Sequence, residues 1–316
     1  MDSPVILVTA VCGDLGSSTA RALAREHYRL IGTDMSPYCP VAEYLESFEV
    51  LPAASSSKYL ESLLAICEAK KVKLVLPLSE PEIVFLNSNR NAFAERNIFL
   101  ALNSEQILSA FSDKYLTMQH ISSIGHRVPK TMLVGENREI LTMPFIVKPR
   151  RGSGSRGAMV VSDVETRDFL WNHCAEDLIA QELVGCESHE YTTGVFSDGR
   201  NMAAITFRRT LAPGGYSHEV HLVNDDVQQI NSLAFDIARS VDLVGSINIQ
   251  TRKVGDTHVP FEINPRLSST VMFRALAGFP DAHWWIQSLL YNKGFTYQPL
   301  EGSFTGVRHI VEKIFL

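Results

Sequence analysis

A chain of 316 residues is too long for one small core and predicts two or three lobes. Its 45% hydrophobic and 20% charged content suit a soluble globular protein, while a net charge of −6 and a pI near 5.9 argue against a phosphate-backbone binder. No apolar run nears the ~20 residues that span a bilayer, Met-Asp-Ser-Pro is no secretory leader, and five cysteines without a CxxC pair suit a reduced cytoplasm, so neither membrane nor nucleic acid is an expected partner.

The first hundred residues read as α/β. Val5–Thr9 is a buried parallel strand, followed by Gly13, Gly16 and a helix with apolar Ala20, Leu23 and Ala24. A second strand, Leu30–Thr33, ends in Asp34; a helix over Tyr59–Ala69 precedes the strand Lys73–Pro77. The alternation predicts a doubly wound sheet. Glycines after the first strand and an acid after the second imitate a dinucleotide fingerprint, but GDLGSS lacks the full GxGxxG, and a tight strand-to-helix turn is the commoner reason for such glycines. Ser79, Glu80 and Glu82 follow a strand end, where open α/β sheets place ligand groups.

Next, Ser112 reads as the N-cap of a helix lined by Leu116, Ile121 and Ile124 and closed by Gly125. Lys114 in its first turn opposes the helix dipole, so it either faces solvent or reaches for an anion. Pro144–Pro149 is a strand ending in Lys148, and the loop behind it carries Gly152, Ser153, Gly154, Ser155 and Gly157, whose backbone N–H groups suit phosphate oxygens. Without the lysine that loop would read as a plain linker. Leu178–Val184 is a further strand, and Glu190 opens the next.

The chemistry concentrates near the C-terminal end. In Ser246–Gln250 and Phe261–Arg266, side chains two apart share a face, so Ile247, Ile249, Phe261 and Ile263 are expected in the core. Asn248, Gln250, Glu262 and Asn264 then aim oxygens into one cleft suited to Mg²⁺, with Arg266 beyond for phosphoryl charge. A solvated sheet face is the plain alternative. Parity adds a condition: Gln250 and Glu262 share a face only across an odd-length loop or a bulge. Arg208 and Arg209 read either as a clamp for a substrate carboxylate or as exposed arginines, Ser268 and Ser269 as substrate contacts ahead of His218 or His221, and Trp284 and Trp285 as core.

Taken in order, Asp113-Lys114, Ile146–Pro149, the Gly152–Gly157 loop, Gln181–Val184, Glu190–Thr192, Asn248–Gln250 and Phe261–Arg266 resemble the ATP-grasp superfamily, above all the ATP-grasp half of carbamoyl-phosphate synthetase large subunits. The resemblance covers the whole chain. It implies a Rossmann-like pre-ATP-grasp α/β domain (1–111) followed by a two-lobed ATP-grasp fold, with a lid lobe (112–184) and a large lobe (185–316). It further implies that Lys114, Lys148 and the glycine loop hold ATP phosphates and that Glu182, Leu183 and Val184 border adenine. Glu190 would hold ribose; two extra residues, Ser188-His189, leave Glu187 as the alternative. Gln250, Glu262 and Asn264 would bind one or two Mg²⁺ (or Mn²⁺) ions. Arg266 and Lys148 would act in catalysis, with Glu80, Arg208, Arg209, Ser268 and Ser269 towards substrate. The implied activity is an ATP-dependent carboxylate–amine ligase working through an acyl phosphate on small molecules, cytoplasmic, with a homodimer allowed. A phosphotransferase on the same scaffold and a dinucleotide-binding oxidoreductase are the other classes.

Overall fold

The computed structural model describes residues 3–136, 141–152, 154, 157–174, 177–212, 215–225, 227–309 and 313–315. A five-stranded parallel sheet comes first, built from β1 (Val5–Val8), β2 (Arg29–Asp34), β3 (Ser47–Val50), β4 (Leu74–Leu76) and β5 (Phe99–Leu100) in the order β3-β2-β1-β4-β5. The strand order reverses between β1 and β4, which makes the crevice beyond their carboxyl ends the ligand position of such sheets. Helices α1 (Asp14–Ala24), α2 (Tyr59–Lys70), α3 (Glu80–Asn87) and α4 (Arg90–Ala94) complete the unit. Alternation along β1 sends Leu7 toward Tyr59, Leu63 and Phe93, and Ile6 and Val8 toward Ala20 and Leu23. A side chain at Gly16 would overlap the Ala10 carbonyl oxygen, so the β1–α1 turn itself requires that glycine.

Two helices, α5 (Glu105–Phe111) and α6 (Lys114–Ser123), lead into an antiparallel four-stranded sheet of β6 (Thr131–Leu133), β7 (Phe145–Pro149), β8 (Met159–Val161) and β9 (Leu178–Glu182), ordered β6-β9-β7-β8. Helix α7 (Val164–His173) covers it, with Trp171 packed edge-on against Phe145. The cap of α6 is Asp113, not Ser112: its carboxylate accepts from the N–H groups of Tyr115 and Leu116, while Ser112 ends α5. Aspartate also gives Arg150 a partner at 2.6 Å, tying α6 to the end of β7. Leu116 is exposed, leaving Thr117, Met118 and Ile121 as the inner face of α6.

The remaining sheet is antiparallel: β10 (Glu190–Asp198), β11 (Met202–Leu211), β12 (Ser217–Leu222), β13 (Val244–Val254), β14 (Thr257–Asn264) and β15 (Thr305–Val307), ordered β14-β13-β10-β11-β12-β15. Helix α8 (Val227–Arg239) lays Ile230, Leu233, Ala234 and Ile237 along one face. Ile247, Ile249 and Ile263 are buried in that layer, as their alternation predicts. On the other side α9 (Val271–Leu276) and α10 (Asp281–Tyr291) pack against α1, and Trp284 and Trp285 lie in the core they share with β1. Arg274 of α9 is wholly buried, 2.9 Å from Asp281, with Gly194 leaving the space its guanidinium fills. Among the described residues no helix is long and apolar enough to cross a membrane.

Candidate active site

A cleft of about 310 Å³ opens between the lid sheet and the six-stranded sheet. Ile146, Lys148 and Val160 form its roof, Leu183 and Val184 its back wall, and Gln250, Phe261 and Glu262 part of its floor. Lys148 is the penultimate residue of β7 and is only 7% exposed. Its Nζ sits 4.0 Å from Glu262 Oε2 and over the Phe261 ring. One distant carboxylate does not offset the loss of water, and burial pushes the ammonium pKa down to about 8. Lys114 donates to the Gly152 carbonyl, and its own backbone N–H donates to Arg150 O. A Cβ on Gly215 would sit 3.0 Å from the Gly154 carbonyl oxygen, so the backbones of these two glycines lie against each other. Ser153 and Ser155 lie outside the described residues.

The parity condition is met by a bulge. The β13–β14 turn is Gly255-Asp256, with Val254 opposite Thr257, but the register shifts between Thr251↔Pro260 and Gln250↔Glu262. Phe261 is the extra residue, and it lines the cleft beneath Lys148 and Arg252 instead of joining Ile263 in the core. Two residues on the bulged strand facing one on the partner is how neighbouring side chains come to share a side. Glu262 Oε1 receives the Gln250 amide at 3.4 Å and the Asn264 amide at 3.3 Å. A carboxylate that, among the described residues, accepts from two neutral amides and has its nearest ammonium 4.0 Å away fits a divalent cation. Among the described residues there is no cluster of three His, Cys, Asp or Glu, so such a cation would rest on Glu262, the amide oxygens of Gln250 and Asn264, and a ligand's phosphates. Asn248 shares their strand face but is fully buried, accepting from Thr192 Oγ1, and does not reach the open cleft.

At the far end Glu190 is 5% exposed and its carboxylate bridges two guanidiniums. Oε1 accepts from Arg209 Nε and Nη2, and Oε2 from Arg252 Nε and Nη2 at 3.2 and 3.0 Å. Arg209 also donates to Gln250 Oε1 at 2.8 Å. Glu187 stands exposed at the same end, on a short 3₁₀ turn, Glu187–His189. The Glu182 carboxylate accepts from the Lys130 N–H. Arg252 was missed from sequence; it follows Gln250 by two and lies directly across from Glu190, so strand alternation carried the signal.

Other expectations separate. Arg208 and Arg209 cannot act as one clamp, because successive strand residues face opposite ways: Arg208 is exposed and Arg209 buried in the cleft. Ser268 is buried against Thr270 and Arg274 and supports the helix rather than a ligand, while Ser269 contacts Ser217. Glu82 turns into the first unit's core, accepting from Thr9, Tyr59 and Ser79 hydroxyls. Glu80 stays at the surface of the β1–β4 crevice, with Oε1 3.7 Å from Arg266 Nη2. Burial lowers the Arg266 pKa, and its buried Nε has no partner among the described residues.

Comparison with known proteins gives this geometry a context. The carbamoyl phosphate synthase large chain of Methanosarcina barkeri is 22% identical over 302 residues; the match takes in 84% of this chain but spans only 27% of that relative's length. Similar solved structures include a biotin carboxylase–nucleotide complex from Campylobacter jejuni (TM-score 0.75, 17% identity, 97% of this chain and 76% of that one). An L-amino acid ligase from Bacillus licheniformis is also similar (TM-score 0.72, 13% identity, 95% and 76%). At such identities these structures speak for the fold alone. A family model for a PylC-like N-terminal domain matches residues 12–101, and one for the ATP-grasp domain matches residues 111–270, half of the chain: the protein is an enzyme of the ATP-grasp family.

Proposed function

We propose that the chain is an ATP-dependent carboxylate–amine ligase acting on small molecules, with 1–111 as its pre-grasp unit, 112–184 as the lid and 185–316 as the large lobe. One observation carries the reading: a second cavity, beside Arg266 and Glu80, shares Lys114, Gly152 and Glu262 with the nucleotide-sized cleft. A molecule in that cavity would lie against the phosphate end of a nucleotide in the cleft. Leu183 and Val184 would flank the adenine. Glu187 is the free carboxylate for ribose, since Glu190 is engaged on both oxygens by Arg209 and Arg252. Lys114, Lys148 and the Gly152–Gly157 loop would grip the phosphates, and closure of that loop excludes water. Mg²⁺ or Mn²⁺ held at Gln250, Glu262 and Asn264 would neutralise phosphate charge.

In the first step a substrate carboxylate oxygen attacks the γ-phosphorus, the bond to the β-phosphate oxygen breaks, and ADP leaves. Arg266 steadies the charge on the acyl phosphate. In the second, an amine nitrogen attacks the acyl carbon, phosphate departs, and the nitrogen loses its proton to solvent. The amino acid named in the Bacillus licheniformis neighbour fits the same scheme.

The test is coupling. With ATP and a carboxylate but no amine, ADP release is expected to be slow, and hydroxylamine traps a hydroxamate; adding the amine speeds ADP release and forms an amide in step. A stable phosphorylated product formed stoichiometrically with ADP would replace this reading with a phosphotransferase.

A further inference from the structure

We infer that the cavity at Glu80 and Arg266 is a zwitterion site, which takes the α-ammonium and α-carboxylate of a small amino acid as the carboxylate to be activated. This deepens the ligase reading and rests on it. Glu80 stands in the first turn of α3, beyond β4 at the reversal of strand order, where Ser79 caps the helix and Pro81 fixes its start. Its carboxylate is set in place by backbone, not by partners: among the described residues nothing hydrogen-bonds to it. Arg266 Nη2 is 3.7 Å away, too far for a hydrogen bond. Arg266 spends Nη1 on the Leu267 carbonyl, and its Nε has no partner among the described residues. The two charges therefore face one small space as separate groups instead of closing on each other as a bidentate pair.

That space is about 60 Å³, room for roughly two water-sized groups. Ile83, Val84 and Phe111 make its wall, and Glu262 and Asn264 lie at its inner end. The ammonium and carboxylate of an α-amino acid are held two bonds apart on one carbon, so one molecule presents both charges within the spacing of this ion pair. Laid antiparallel to the pair, the ammonium donates to Glu80 and the carboxylate accepts from Arg266, on the side shared with the nucleotide cleft. A simple carboxylate would satisfy Arg266 while being repelled by Glu80, and a simple amine would meet the reverse. The volume takes the ammonium and carboxylate groups, and the side chain is left at the mouth beside the exposed Val84.

The experiment uses the full chain saturated with MgADP and titrated calorimetrically with L-alanine, propionate and ethylamine. Wild type is expected to bind alanine and neither of the others as well. Glu80→Gln should weaken alanine by about 10- to 100-fold, the worth of one charge-assisted hydrogen bond, and leave propionate unchanged or tighter. Glu80→Asp, which keeps the charge but withdraws it by one methylene, should recover part of the preference. Equal alanine affinity in wild type and Glu80→Gln, or propionate or ethylamine binding the wild type as well as alanine, overturns the zwitterion site while the nucleotide cleft stands. Failure of the wild type to bind MgADP at all overturns both.

Discussion

Lys148→Met separates two consequences of burying a cation. Burial takes the pKa from 10.5 to about 8 even with Glu262 nearby. At 1.36 kcal/mol per pH unit, the charged form costs the ligand-free fold roughly 3 kcal/mol. Because the folded pKa lies below the unfolded one, the cost is fully present below about pH 8 and fades as pH rises toward 10.5, so ligand-free stability climbs across that window. Methionine keeps the apolar stem and removes the charge. At roughly 2–4 °C per kcal/mol for mid-sized chains, the variant should melt several degrees above wild type at neutral pH, with the gain shrinking in alkali. Nucleotide binding should move the other way. Losing a charged hydrogen bond worth about 1.5–3 kcal/mol weakens MgADP roughly 10- to 150-fold. In wild type that affinity should be flat below about pH 8 and fall above it, as the free ammonium loses its proton before a phosphate can hold it. Melting curves and calorimetry across the alkaline range read both. A variant that melts below wild type at neutral pH, or binds MgADP as tightly, would refute the reasoning.

Glu262→Gln keeps the shape of the phosphate-side floor but removes its carboxylate; turnover should fall about 10²–10³-fold, and a loss under tenfold in steady-state ADP release would argue against a metal-bearing role. At the ribose end, Glu187→Ala should weaken MgADP while the melting curve stays put. Glu190→Gln should instead lower the melting temperature, by leaving Arg209 and Arg252 short of their anion; the opposite assignment of effects would return ribose binding to Glu190. Arg274→Met strands Asp281, whose pKa burial already raises, and breaking a buried pair costs about 3–5 kcal/mol. Denaturant midpoints close to wild type would show that the pair is dispensable.

The doubly wound start, the isoleucine layer under the cleft and the functional face of β13 were all legible, because each is written in a local period of two or in strand–helix alternation. Phe261 was misplaced since a bulge is a property of two strands at once, and nothing in Pro260–Glu262 alone signals the extra residue. The grip of Glu190 on Arg209 and Arg252 joins residues 19 and 62 positions apart; alternation puts Arg252 on the functional face of its strand but does not say which acid it meets. Ser112 and Asp113 are both good caps, and which one serves depends on where α5 stops and on Arg150, a tertiary partner. Glu82 and Glu80 differ only in which side of a turn each leaves, which placed one in the core and the other at the crevice.

The bulge at Phe261 has a bearing on how this hairpin tolerates changes in length. From Glu262 onward every side chain owes its orientation to one supernumerary residue, so deleting any single residue between Gly255 and Phe261 would turn Glu262 and Asn264 inward and Ile263 out, unless the bulge itself were absorbed. Insertions in pairs at the exposed Gly255-Asp256 tip leave that phase untouched. Length variants of this hairpin should therefore survive in even steps, or as an odd change at the tip matched by loss of the bulge, and random single-residue insertion libraries should show a sharp drop in nucleotide binding here without the unfolding that the same insertion causes in β10.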